Sequence, residues 1–188
     1  MLAADRRLLL RYAFVMRWSK LSVVVAAVFL ILSSLAGQQA GTAPTAKDDL
    51  VISVYSSHSP LKVSLLDLKA LPHITVTLHN SHTNVDETYS AVRLADLLGK
   101  VGAPLGSELR GKGISNYIVA TGSDGYKAVL ALAEVDPGFH PGEVLVADAM
   151  NGQPLDAHSG PFKLVVTEDK RPARSVRNLV SIELKMLQ

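Results

Sequence analysis

From Leu50 onward the apolar residues fall into short runs separated by turn formers, and the spacing inside each run predicts its element. Leu50 to Tyr55 reads as a strand. Ser64 stands ahead of Leu65 to Ala70 with Asp67 at the third position, an approximate capping box that opens a short helix, and Pro72 stops it. Ile74 to Leu78 alternates apolar with β-branched polar residues, so it predicts a half-buried strand with Thr75, Thr77 and His79 on its other face. The polar stretch His79 to Glu87 reads as a loop at a sheet end, and Thr88 to Val92 as the next strand. Leu94, Leu97, Leu98 and Val101 recur at helical spacing before Gly102 and Pro104, which predicts an amphipathic helix over Leu94 to Val101 lying on a sheet. Tyr117 to Thr121 and Tyr126 to Leu130 flank Asp124-Gly125, a hairpin signal. Val144 to Ala147 and Phe162 to Val166 read as short buried strands, and Leu179 to Leu187 as a closing strand. Strands outnumber helices and follow one another in hairpin fashion, so the fold class is α+β and mainly β.

Ahead of these elements lies a different pattern. Leu21 to Leu32 is an uncharged apolar run, preceded by Arg6, Arg7, Arg11, Arg17 and Lys20 and followed by the small residues Ser34 and Ala36. This is the layout of a signal peptide cleaved before Gly37. A permanent span needs about 20 apolar residues, more than this run supplies, so an uncleaved N-terminal membrane anchor is the second alternative. Residues 37–49 are small, polar and Pro/Gly-containing, as a flexible linker is, which leaves residues 50–188 for the domain. Met16 opens a complete short signal by itself and is a candidate true start. Arg6-Arg7 is a twin-arginine pair, but it is remote from the apolar run, so the signal reads as the Sec type. The expected location is exported, periplasmic or secreted, or tethered to the inner membrane if the segment stays uncleaved.

Charge changes one conclusion. The chain of 188 residues carries +2, and its isoelectric point near 8.9 suggests a nucleic-acid binder. The first 36 residues, however, hold five basic side chains against Asp5 alone, a net +4, so the remainder is about −2 and nucleic acid is excluded as a partner. There is no cysteine, hence no disulfide and no lipid-attachment cysteine. No nucleophile elbow, P-loop or dinucleotide fingerprint occurs, since Gly111-Lys112-Gly113 lacks both spacings.

Two segments concentrate the remaining chemistry. In His79 to Glu87, His79, His82 and Glu87, with a distant His140 or His158, are candidate ligands for zinc or another divalent metal. The bland alternative is a solvated loop whose side chains hydrogen-bond its own turn. In Asp169 to Arg177, the guanidinium groups of Arg171, Arg174 and Arg177 suit phosphate or carboxylate, against an ordinary basic turn. Asp124-Gly125 is a turn rather than a catalytic pair, and Tyr126 is a candidate groove or core aromatic.

Three segments, in order, also resemble a known family. They are Tyr89 to Leu98 with Val101-Gly102, similar to Y-x-G-V-x-L-x-D-L-L-x-x-x-G, then Ser123 to Tyr126, then Gly160 to Val166 followed by Asp169-Lys170-Arg171. Together they look like the molybdopterin-binding domain of the sulfite oxidase superfamily, in its small stand-alone oxidoreductase form. The resemblance implies an α+β domain of several small mixed sheets and short helices, with molybdopterin in a groove and molybdenum held by one cysteine thiolate. It places His79 or Asn80 at the thiolate position, His82 beside it, and Arg171, Arg174 and Arg177 near the pterin phosphate, while Ala91 stands where the family has glycine and Arg93 where it often has proline. An enzyme of this kind is a molybdopterin-dependent oxidoreductase. Without the thiolate, sulfite-oxidase turnover is not expected. The rival from another class is a cofactor-free binding module, using the His79 to Glu87 loop for a divalent metal or small anion, or a sheet face for a protein partner.

Overall fold

The computed structural model describes residues 49–55 and 59–187. The signal or anchor, the twin-arginine pair, Met16 and all of the linker except Asp49 lie outside the described residues.

The strands are β1 (Leu50–Val54), β2 (Leu61–Val63), β3 (Ile74–Asn80), β4 (Val85–Arg93), β5 (Tyr117–Gly122), β6 (Lys127–Ala131), β7 (Val144–Met150), β8 (Gln153–Pro154), β9 (Lys163–Val166) and β10 (Leu179–Lys185). The helices are α1 (Leu65–Lys69), α2 (Leu94–Lys100) and α3 (Leu132–Val135). One sheet runs β2-β1-β10-β5-β6, with β1 and β10 parallel and the other pairs antiparallel. The second runs β3-β4-β7, and β7 then pairs with both β8 and β9. The α+β, mainly β class with small sheets holds, but only the first sheet is mixed, since every pairing of the second is antiparallel.

The main core joins the two sheets. Leu50, Ile52, Ile118, Leu130, Ile182 and Leu184 from the first sheet meet Val92, Val144, Val146 and Leu164 from the second in one buried cluster. Helix α2 adds Leu94, Leu97 and Leu98, all fully buried, by packing against β1, β4 and β7 as its apolar stripe requires. The other face of the second sheet builds a smaller cluster from Tyr89, Ala91, Leu145, Ala147 and Val165. Because side chains alternate along a strand, one sheet thus serves two clusters, and its polar residues must find places among them.

Local signals act as the sequence suggests. Ser64 Oγ accepts from the Asp67 amide at 3.1 Å while the Asp67 carboxylate accepts from the Ser64 amide at 3.0 Å, closing the capping box of α1. Gly125 takes φ +84° in the β5–β6 turn, a region open to glycine. At Gly122 a Cβ would lie 2.8 Å from the Arg177 carbonyl oxygen, so only glycine lets the chain before β10 press this closely on β5.

The largest departure concerns the polar stretch. His79 to Glu87 is not a loop: β3 continues to Asn80, β4 begins at Val85, and only 81–84 turn. Pairing explains this, because the register Leu78–Glu87, His79–Asp86 and Asn80–Val85 extends the hairpin past the end of its apolar alternation. The closing strand stops at Lys185, short of the expected Leu187, and β2, α3 and β8 carried no distinct periodic signal.

Candidate functional site

The hairpin sets the geometry. Cross-strand partners share a face, so Leu78, Asn80, Glu87 and Tyr89 lie on one side of β3–β4 and His79 with Asp86 on the other. On the first side a continuous polar chain runs across the sheet. Lys163 on β9 donates to the Tyr89 hydroxyl at 2.5 Å, and that hydroxyl donates to Glu87 Oε2 at 2.5 Å. Asn80 Nδ2 donates to Glu87 Oε1 at 2.7 Å. The Lys163 ammonium also stands 4.6 Å from the centroid of the Tyr89 ring, within cation–π range.

The charges in this chain are set by burial and by each other. Burial disfavours the Glu87 carboxylate, but Tyr89, Asn80 and the Lys163 ammonium outweigh it and hold its pKa below the ordinary carboxylate value. Burial, then hydrogen bonding to Glu87, raises the Tyr89 phenol. Burial also lowers the Lys163 pKa, and Arg177 adds to the fall while Glu87 and Asp156 oppose it. Arg177 Nη1 contacts His158 Nε2. The loop carrying His158 is fastened by Asp156 Oδ1, which accepts from the His158 amide at 3.1 Å and the Ser159 amide at 2.9 Å. Asn178 Nδ2 ties the same loop to β10 through the His158 carbonyl at 3.0 Å.

The expected residues are thus redistributed. Arg177 meets His158, while Asn80 and Glu87 join the polar chain. Arg174 does not face it: its guanidinium forms a fork on Asp169, at 2.9 and 2.6 Å, and reaches Glu134 at 2.9 Å. Those two carboxylates raise its pKa. It lies in a cleft of about 220 Å³ whose other ionisable walls are Glu134, His140, Glu143, Glu168 and Asp169. Arg171 is exposed where the chain enters a 3-10 turn at 172–174, so of the three arginines Arg174 is engaged by carboxylates, Arg177 meets His158 and Arg171 faces solvent. Tyr126 is exposed and its hydroxyl donates to the Ala173 carbonyl at 2.6 Å.

The trio His79, His82 and Glu87 does not converge either. His79 Nδ1 meets Asp86 Oδ1 at 2.8 Å on the face opposite Glu87, and His82 is exposed in the turn. Among the described residues no three His, Cys, Asp or Glu side chains stand together as a metal site. The two residues that sequence reasoning missed are Tyr89 and Lys163. A lysine inside the apolar run Phe162 to Val166 was the available signal, since a buried strand rarely carries an unpaired ammonium.

The donor set decides how far a molybdopterin centre fits. At the position the resemblance gives to a thiolate, the Asn80 amide spends its oxygen on the His82 and Thr83 amides, at 2.9 and 3.3 Å, and its nitrogen on Glu87. His79 faces away. A molybdenum ion thus finds no soft ligand here, and these residues do not fit the metal half of the cofactor. Lys163 and Arg177, by contrast, are donors of the type that bind phosphate.

No curated protein matches this chain. The family model described as the oxidoreductase molybdopterin binding domain matches residues 40–187, most of the chain. With the small sheets and short helices above, this places the chain in the oxidoreductase molybdopterin-binding domain family of the sulfite oxidase superfamily.

Proposed function

We propose that this protein is an exported member of its family that binds a small phosphate-bearing ligand and does not perform molybdenum redox chemistry. The observation that carries the reading is Lys163, an ammonium on a strand of the core hydrogen-bonded to Tyr89, while of the two residues the resemblance gives to the thiolate position, His79 meets Asp86 and Asn80 has its amide oxygen and one amide hydrogen engaged. The Arg177 charge lowers the Lys163 pKa, and an anion held at Lys163 offsets that repulsion, which favours phosphate as the ligand. Glu87 and Asp156 oppose the fall in the Lys163 pKa that burial causes. The divalent-metal reading draws no support from a hairpin whose His79 and Glu87 face opposite ways.

The experiment begins with protein purified from its native compartment. Elemental analysis and a fluorescence assay for released pterin are expected to give no stoichiometric molybdenum, and intact mass is expected to match a chain beginning at Gly37. Calorimetric titration with inorganic phosphate at low salt is expected to show binding that Lys163→Met weakens by about tenfold or more, the loss of one charge-assisted hydrogen bond. Stoichiometric molybdenum with pterin would overturn the reading, as would phosphate binding indifferent to Lys163.

A further inference from the structure

Strand β7 carries a bulge. Ala147 and Ala149 pair with Ala91 and Ser90 on β4, so Asp148 is the extra residue between them and has no register partner on β4, β8 or β9. A bulge re-aims the side chain it carries. Here that side chain is a carboxylate only 4 % exposed, and a charge taken out of water needs a partner.

His73 is that partner. It stands where the chain leaves α1 and enters β3, with Nδ1 2.8 Å from the Leu71 carbonyl oxygen and Nε2 3.4 Å from Asp148 Oδ2. A carbonyl only accepts, so Nδ1 carries a hydrogen, and an ionised carboxylate only accepts, so Nε2 must carry one as well. A neutral imidazole has a hydrogen on one nitrogen alone, and the imidazole is the stronger base of the pair, so the extra proton rests on it. Without it the Nε2 lone pair would face the Asp148 carboxylate. Among the described residues no Lys or Arg pairs with Asp148 to supply that charge instead, and no third imidazole or carboxylate joins the two. The charges on neighbouring elements are placed elsewhere: Asp67 and Lys69 of α1 and Asp96 and Lys100 of α2 are exposed, His79 of β3 meets Asp86 of β4, Arg93 of β4 holds Glu143, and Glu87 of β4 and Lys163 of β9 hold Tyr89.

We infer that His73 and Asp148 form a pH-sensitive clasp, in which a proton on the imidazole ties the root of the β3–β4 hairpin to the β7 bulge. The closed clasp binds this proton more tightly than the open one. Closure is therefore complete in mild acid and is lost as pH rises above the ordinary histidine value of about 6.5. What opens is the corner between α1 and β3, residues 70–73, together with the start of the strand that carries Asn80 at its other end.

The test is amide hydrogen exchange on the purified full chain and on Asp148→Asn, read by mass spectrometry between about pH 5.5 and 8.5 as protection relative to the unfolded chain at the same pH. The asparagine Nδ2 donates to a neutral Nε2, so this variant closes the clasp without the extra proton. In the parent, protection over residues 70–76 and 146–150 is expected to fall about tenfold or more as pH rises, while the variant keeps it. Parent protection independent of pH, or an equal fall in Asp148→Asn, would overturn the inference. Should the variant not fold, nitrogen-15 spectra of the parent's imidazoles decide. His73 keeping hydrogen on both ring nitrogens at a pH where the exposed His82 has lost one supports the clasp, and His73 losing it together with His82 overturns it.

Discussion

Tyr89 shows how one side chain serves packing and chemistry together. Its ring is 2 % exposed within the smaller cluster, while its hydroxyl accepts a hydrogen bond from Lys163 and donates one to Glu87. Removing the hydroxyl leaves the ring packed but deprives a half-buried carboxylate of a donor and an ammonium of its acceptor. Tyr89→Phe is therefore expected to cost about 1–3 kcal/mol, read as a lower urea midpoint at unchanged slope. Such a role was only half legible. The motif Tyr89 to Leu98 drew attention to the residue as a fold marker, and nothing local told that β9, some seventy positions on, would bring Lys163 to it. Arg174 is the converse case. Its place in a basic run suggested an anion, yet Asp169 and Glu134 close on it from both sides. Local sequence reports charge, but the sign of its neighbours comes from contacts far along the chain.

At the scale of the element, periodicity was a sound guide wherever a face is buried. Helix α2 follows the spacing of Leu94, Leu97, Leu98 and Val101, and its buried leucines tie it to both sheets. Leu97→Ala is expected to destabilise the protein by about 2–5 kcal/mol in chemical denaturation, since deletion leaves a cavity where two sheets and a helix meet. Helix α1 followed from its capping box, a signal contained within four residues. The β3–β4 hairpin did not follow in full, because beyond Leu78 and before Tyr89 the strands carry mostly polar residues and lose their apolar alternation. What continues them is the cross-strand ladder and the turn at 81–84, where the Asn84 amide reaches the Asn80 carbonyl at 2.8 Å. A polar strand tip and a polar loop have the same composition, and pairing alone separates them.

The whole molecule should lose stability in acid. Glu87 and Asp67 both have folded pKa values below their ordinary ones, Glu87 through Tyr89, Asn80 and Lys163 against burial, Asp67 through its bonds to Ser64. A depressed carboxylate contributes its stability above its unfolded pKa and loses it as pH falls through the lower folded value. The Glu87 contribution is therefore complete above pH 4.5 and declines below it, and Glu87→Gln should flatten that part of the profile of thermal midpoint against pH. A profile unchanged by the substitution would contradict the polar chain. At this scale the sequence by itself determined the α+β class, the family and the lack of a cysteine thiolate for molybdenum. These depend on local periodicity, on motif order and on which atoms the chain possesses. Only the tertiary structure decided which polar residues act together, because each strand sends alternate side chains to opposite faces and each sheet joins segments remote in the chain. That is why His79 parts from Glu87, Arg174 turns to its carboxylates, and Lys163 joins Tyr89.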